Sequence, residues 1–162
     1  MKLPVVNHID YFAKIGDDHR FPINKFGELA NYLLKEKIVN KFYKPYPCSE
    51  ETLKRAHSEN YIKQIKNKTL DKISVKKIGF PLVESVVKRS FIATGGTVLA
   101  SKLAINYGLA CNTAGGSHHA NFESGAGYCV FNDVAVAAKY LLDRNLAKKI
   151  LILDLDVHQG NG

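Results

Sequence analysis

Near its carboxyl end the chain reads Ile150-Leu-Ile-Leu153 and then turns at once into Asp154-Leu-Asp156-Val-His158-Gln-Gly-Asn161-Gly162. Four consecutive apolar residues leave no polar side to face water, which predicts a strand covered on both faces in a parallel sheet. Side chains alternate along a strand, so Asp154, Asp156 and His158 are expected on one side at its carboxyl end. Open parallel sheets bind their ligands at that end. A carboxylate and an imidazole two residues apart suit a borderline cation such as zinc. An isolated Asp-x-His is more often a solvated turn, so the assignment needs a second constellation.

That constellation lies about forty residues earlier. Leu109 to Thr113 reads as a short apolar strand that runs into Ala114-Gly-Gly-Ser-His118-His119-Ala120. The two glycines permit a sharp turn that brings both imidazoles to a strand end. A loop through Glu123 to Tyr128 follows. Asn132 or Asp133 then caps a helix carrying Val134, Ala138, Leu141 and Leu142 as far as Asn145. Strand, helix, strand is the right-handed crossover of a parallel sheet. If the two strands are neighbours, the histidine pair and the Asp156-x-His158 loop emerge at one sheet edge. A metal there activates water and polarises a carbonyl, a nearby imidazole moves the proton, and Asp154 and Asn161 are placed to orient the imidazoles.

The earlier chain supplies scaffold. Val5 to Phe12 suggests a first strand, and the proline in Asp17-Asp-His19-Arg20-Phe21-Pro22 marks a loop. A helix is expected from Asn24, burying Phe26, Leu29, Ala30, Leu33 and Leu34. Ile38 to Tyr43 reads as a strand. Ser49 and Ser58 are N-caps of two short helices, the second with Tyr61, Ile62 and Ile65 as its apolar stripe. His57 between them, like His8 and His19, reads as a structural histidine satisfying backbone carbonyls. Asn67 to Lys77 is polar and predicts a surface loop. From Pro81 a helix carries Ile92, Gly96, Leu99 and Leu103 on one stripe and ends near Gly108. Gly95 and Gly96 within it imply close packing against another backbone.

The 162 residues suffice for one domain or part of one, and 46% apolar content is ordinary. The formal charge of +8 is spread along the chain as lysine. Only Arg20, Arg55, Arg89 and Arg144 supply the planar forks that grip phosphates and bases, which argues against direct nucleic-acid binding. Three cysteines without CxxC spacing suit reduced thiols in the cytoplasm. No apolar run has the length of a signal peptide or a membrane span.

Gly115-Gly-Ser-His-His-Ala120, Gly127-Tyr-Cys-Val-Phe-Asn-Asp133 and Asp154-Leu-Asp-Val-His-Gln-Gly-Asn-Gly162 resemble three successive blocks of the histone deacetylase family. His19-Arg-Phe-Pro22 and His57-Ser-Glu-Asn-Tyr61 resemble its bacterial and class IV-like members, which include acetoin-utilisation and acetylpolyamine deacetylases. The resemblance implies an α/β fold, the three-layer arginase/deacetylase-like parallel sheet flanked by helices, here truncated. It also implies zinc-dependent hydrolysis of N-acetyl-lysine or a related acetylated amine to acetate and free amine.

By that resemblance Asp156 and His158 are zinc ligands, His119 is the general base and His118 its electrostatic partner. Asp154 holds His118 and shares in a structural potassium site with backbone carbonyls of its loop. Asn161 stands beside the general base where some relatives have Asp. Gly127 and Tyr128 form the wall of a narrow acyl-lysine channel where many relatives have Phe.

The family's third zinc ligand, an Asp, and its oxyanion-stabilising Tyr belong to later blocks. Residues 1–162 are therefore expected to be the amino-terminal part of a single deacetylase domain, inactive alone and completed by further chain or by a second polypeptide. The alternative is a catalytically inactive remnant or the product of a split gene. A binuclear manganese ureohydrolase of the same fold is disfavoured, because such sites want an Asp two residues after the metal-binding His and position 160 is Gly. The expected partner is the acetylated substrate, with neither nucleic acid nor membrane.

Overall fold

The computed structural model describes residues 3–162. Its organising element is the long helix α5, Glu84–Tyr107, ending at Gly108 in the left-handed region. Twenty-four residues give it a length of about 36 Å. It buries residues on several sides, among them Val86, Val87, Arg89, Ile92, Thr94, Gly96 and Leu103, as a central helix must. Gly95 packs against another backbone as the sequence suggests, whereas Gly96 faces side chains. A Cβ at position 95 would collide with the Tyr46 carbonyl, and one at 96 with the Tyr11 hydroxyl and the Asn112 amide.

Strand β1, Val5–Val6, pairs in parallel with β2, Cys111–Asn112, in the register Val5 to Cys111. Both are shorter than expected. After Val6 the chain leaves the ladder for a 3-10 turn at Ile9–Tyr11, whose entry His8 caps through Nδ1. Of the expected strand Ile38 to Tyr43, only a parallel bridge from Tyr43 to Val6 forms.

Helix α1, Lys25–Lys35, starts where predicted but buries only Phe26 fully, while Leu29 and Leu34 are about two-fifths exposed. Helices α2, Glu50–Leu53, and α3, Glu59–Asn67, are capped by Ser49 and Ser58, which accept from the Thr52 and Tyr61 amides. The expected surface loop at Asn67 to Lys77 is in part a helix. In α4, Lys72–Ile78, Asp71 accepts hydrogen bonds from the Ile73 and Ser74 amides, and Gly79 closes the other end. An N-cap and a C-cap glycine outweigh a polar composition here.

Helix α6, Asp133–Asp143, packs on α5 and turns Asp133, Val136, Ala137 and Leu141 inward, a stripe rotated from the predicted one. The shared core gathers Tyr11, Leu53, Tyr61, Ile62, Ile65, Val86, Phe131 and Val136. Ile150 to Leu153 differs most from expectation. These residues have no strand partner among the described residues, and Leu151 is 91% exposed. A strand exists only with a ladder to join, and the described residues offer none beside this run. Among the described residues no helix is long and apolar enough to cross a membrane.

Candidate active site

The loop bearing the histidine pair is built from beneath by the start of α6. Asp133 is 1% exposed and accepts hydrogen bonds from the Gly116 amide at 3.1 Å, the Ser117 amide at 2.8 Å and the Thr97 hydroxyl. Asn132 caps α6 through its Oδ1, while its Nδ2 donates to the Ala120 carbonyl at 3.1 Å. The Asn132 amide in turn donates to His57 Nε2 at 2.8 Å. His57 thus serves a backbone N–H where the sequence suggested a carbonyl. Burial lowers its pKa from the ordinary value, opposed in part by the Asn121 and Phe122 carbonyls, and its buried Nδ1 has no hydrogen-bond partner among the described residues.

By local pattern the sequence offers Asn132 and Asp133 only as rival helix caps. One cap suffices for one helix, so an Asn-Asp pair at a helix start was the available sign that the second side chain had other work. Gly115 shows how close the contact is, because a Cβ there would collide with the Asp133 carboxylate.

His118 and His119 stand at the far side of this loop, their ring centroids 4.2 Å apart. The carboxyl-terminal segment meets them side chain to side chain. Asp154 Oδ2 lies 2.7 Å from His118 Nδ1, and Asn161 Oδ1 lies 2.9 Å from His119 Nδ1. Both oxygens accept, so both Nδ1 atoms donate, which leaves the Nε2 of each ring outside these bonds. The Gly162 amide adds one backbone bond to the His118 carbonyl at 2.8 Å.

Asp154 is held below the usual carboxylate range, first by the His118 hydrogen bond and then by the Asp156 amide on its Oδ1. Asp156 is lowered likewise, first by the His158 amide and then by the His158 ring. Its Oδ1 lies 3.0 Å from His158 Nδ1.

Between the two segments opens a cleft of about 830 Å³, lined in part by His118, His119, Gly127, Tyr128, Asp156 and His158. All eight residues singled out from the sequence thus fall in one neighbourhood: six line the cleft, and Asp154 and Asn161 stand behind the imidazoles. Gly127 is packed against the base candidate, since a Cβ there would come within 2.7 Å of His119 Cδ2. Deeper in the cleft is Arg89, which donates from Nε to the Tyr11 carbonyl at 2.8 Å and lies over the Phe26 ring. Burial pulls its pKa down to about 10.

Comparison with known proteins identifies the family and the fold. Residues 19–162 match the histone deacetylase domain. The chain is 43% identical over 164 residues to an uncharacterized protein of Picosynechococcus sp., covering 100% of this chain and 55% of that protein. It is 36% identical over 159 residues to histone deacetylase 2 of Arabidopsis thaliana, covering 93% of this chain and 41% of that protein. The chain therefore spans about half the length of these relatives.

Among solved structures, the HDA15 HD domain superposes with a TM-score of 0.83 at 18% identity, covering 99% of this chain and 48% of that one. An HDAC homolog from Aquifex aeolicus superposes with a TM-score of 0.71 at 23% identity, covering 89% of this chain and 42% of that one. The α/β architecture is that of the arginase/deacetylase-like fold, and the chain belongs to the histone deacetylase family.

Proposed function

We propose that the full-length protein is a zinc-dependent amide hydrolase that converts N-acetyl-lysine, or a related acetylated amine, to acetate and the free amine. One observation supports this most. Two imidazoles, each with Nδ1 engaged by a fixed acceptor, line a cleft beside a carboxylate and imidazole pair that suits a metal.

Asp156 Oδ1 and His158 Nδ1 are the atoms that would hold zinc. The two atoms already lie 3.0 Å apart, and their carboxylate and imidazole chemistry suits a borderline cation. Among the described residues no group of three or more His, Cys, Asp or Glu side chains could hold a metal ion. A third donor is assigned to the rest of the protein or to a second chain that completes the fold. When bound, zinc polarises the amide carbonyl and lowers the pKa of a water. Asp154 with carbonyls of its own loop is assigned the structural potassium.

The remaining work belongs to this chain. His119 Nε2 takes a proton from water as the water attacks the carbonyl carbon, and returns a proton to the departing amine. Asn161 holds the imidazole in the tautomer that can do this. His118, oriented by the Asp154 carboxylate, stabilises developing negative charge on the carbonyl oxygen. Gly127 and Tyr128 wall the approach. The free cysteines Cys48, Cys111 and Cys129 suit a reducing cytoplasm, and neither nucleic acid nor membrane is assigned as a partner.

In the full-length protein, His119→Ala should lower acetate release from an acetyl-lysine peptide by at least about a hundredfold. His158→Ala should lower zinc content measured by atomic absorption. Retained turnover in the first, or full zinc occupancy in the second, overturns these assignments. A zinc-loaded parent that releases no acetate from acetyl-lysine peptides or acetylpolyamines would mark the chain as part of an inactive remnant.

A further inference from the structure

Tyr128 departs from ordinary backbone geometry. Its φ of 65° lies in the left-handed region, which a bulky residue enters only when its surroundings hold it there. Those surroundings are the end of α4. The Tyr128 amide donates to the Ile78 carbonyl at 2.7 Å, and the Gly127 amide to the Lys77 carbonyl at 3.1 Å. The phenol ring lies over Gly79, where a Cβ would come within 2.9 Å of Tyr128 Cε1.

Three further rings surround it. Phe21 and Phe80 are tilted against it at centroid distances of 5.1 and 5.2 Å, and His19 meets it nearly edge-on at 5.9 Å. His19 also stacks on Phe80 at 5.6 Å. Its two nitrogens have fixed roles. Nε2 lies 2.9 Å from the Gly79 carbonyl, which can only accept, so Nε2 carries the proton. Nδ1 then accepts from the Phe21 amide at 3.0 Å. A single imidazole therefore ties the loop that carries Phe21 to the glycine on which Tyr128 rests. Phe21 and Tyr128 line the cleft; His19 stands behind them.

We propose that His19 is a positioning residue that sets the width of the cleft mouth by fixing Tyr128 and Phe21, and so favours a slender acylated side chain over a bulkier one. The substrate part of this inference rests on the deacetylase reading. The placement of the ring does not.

Two measurements on the full-length protein separate the parts. Tyr128→Trp adds an indole reporter in the box itself, read as the difference from the parent's own fluorescence. His19→Phe keeps an aromatic ring and removes both hydrogen bonds. His19→Asn keeps an acceptor for the amide two residues on and removes the ring. Added to Tyr128→Trp, either should raise the acrylamide quenching constant of that indole at least about twofold. Unchanged quenching in both overturns the positioning role.

With an acetyl-lysine peptide, each single variant should raise KM about fivefold and leave kcat within about twofold, and the KM effect should vanish when Tyr128→Ala is also present. A loss falling on kcat, or one of equal size with and without Tyr128→Ala, overturns the specificity role. Absence of turnover in the parent would instead defeat the deacetylase reading, while the quenching result still decides the placement of Tyr128.

Discussion

The two segments that meet in the cleft are built in opposite ways. The histidine-pair loop is anchored from within. Its amides reach the buried Asp133 carboxylate, its end reaches Asn132, and Asn132 leans on buried His57. The segment carrying Asp154 to Gly162 is exposed along its whole length and is positioned by Asp154, Asn161 and Gly162 against the histidines themselves. One segment is a product of the core. The other takes its place from the first. In the first segment stability and chemistry are coupled, whereas in the second they are separable.

The strongest way to break this contrast is Asp133→Ala. It leaves the Gly116 and Ser117 amides and the Thr97 hydroxyl without their acceptor, and should cost about 3 kcal/mol, read as a lower urea midpoint at unchanged slope. A cost under about 1 kcal/mol would mean that the loop is not held from beneath.

A smaller effect concerns His57. Its folded pKa is depressed by burial, so its contribution to stability is fully present above the unfolded value of about 6.5 and is lost as pH falls from there toward the folded value. Thermal stability measured downward from pH 7 should fall with a slope approaching about 1.4 kcal/mol per pH unit from this group, and His57→Gln should flatten that slope. An unchanged slope would place the titration elsewhere.

The smallest effect on stability is expected from Asp154→Ala. The urea midpoint should move by less than the equivalent of about 0.5 kcal/mol, since the lost contact is exposed. Turnover by the full-length protein should nevertheless fall about 10- to 100-fold, because His118 loses the group that orients it. A large stability loss here would show that the second segment is also part of the core.

Much of the site was legible in the sequence because its chemistry is carried by residue types in short blocks. His118, His119, Asp154, Asp156, His158 and Asn161 converge in one neighbourhood, although the strand alternation expected to align Asp154, Asp156 and His158 does not form. The helix caps Ser49, Ser58 and Asn132 were legible for a similar reason, since a side-chain acceptor before an apolar stripe has one local use. Asp133 and His57 were not read as braces, because their partners lie 16 or more residues away and no local pattern encodes that pairing.

Strand lengths were also hidden. The runs at Val5, Ile38 and Ile150 look alike in apolar content, but a strand needs a ladder, and pairing is a property of the assembled sheet. The rotated stripe of α6 has a related cause: α5 decides which face is covered, and the helix's own periodicity only offers candidates.

The contact between Gly95 and the Tyr46 carbonyl has a genetic consequence. Every amino acid reachable from a glycine codon by one base change carries a Cβ, and any Cβ at position 95 meets that carbonyl. The smallest replacement, alanine, already forces α5 and the Tyr46 segment apart. Variation at this codon should therefore be confined to its synonymous third base, and a substitution found there in a natural sequence should come with a compensating change near Tyr46.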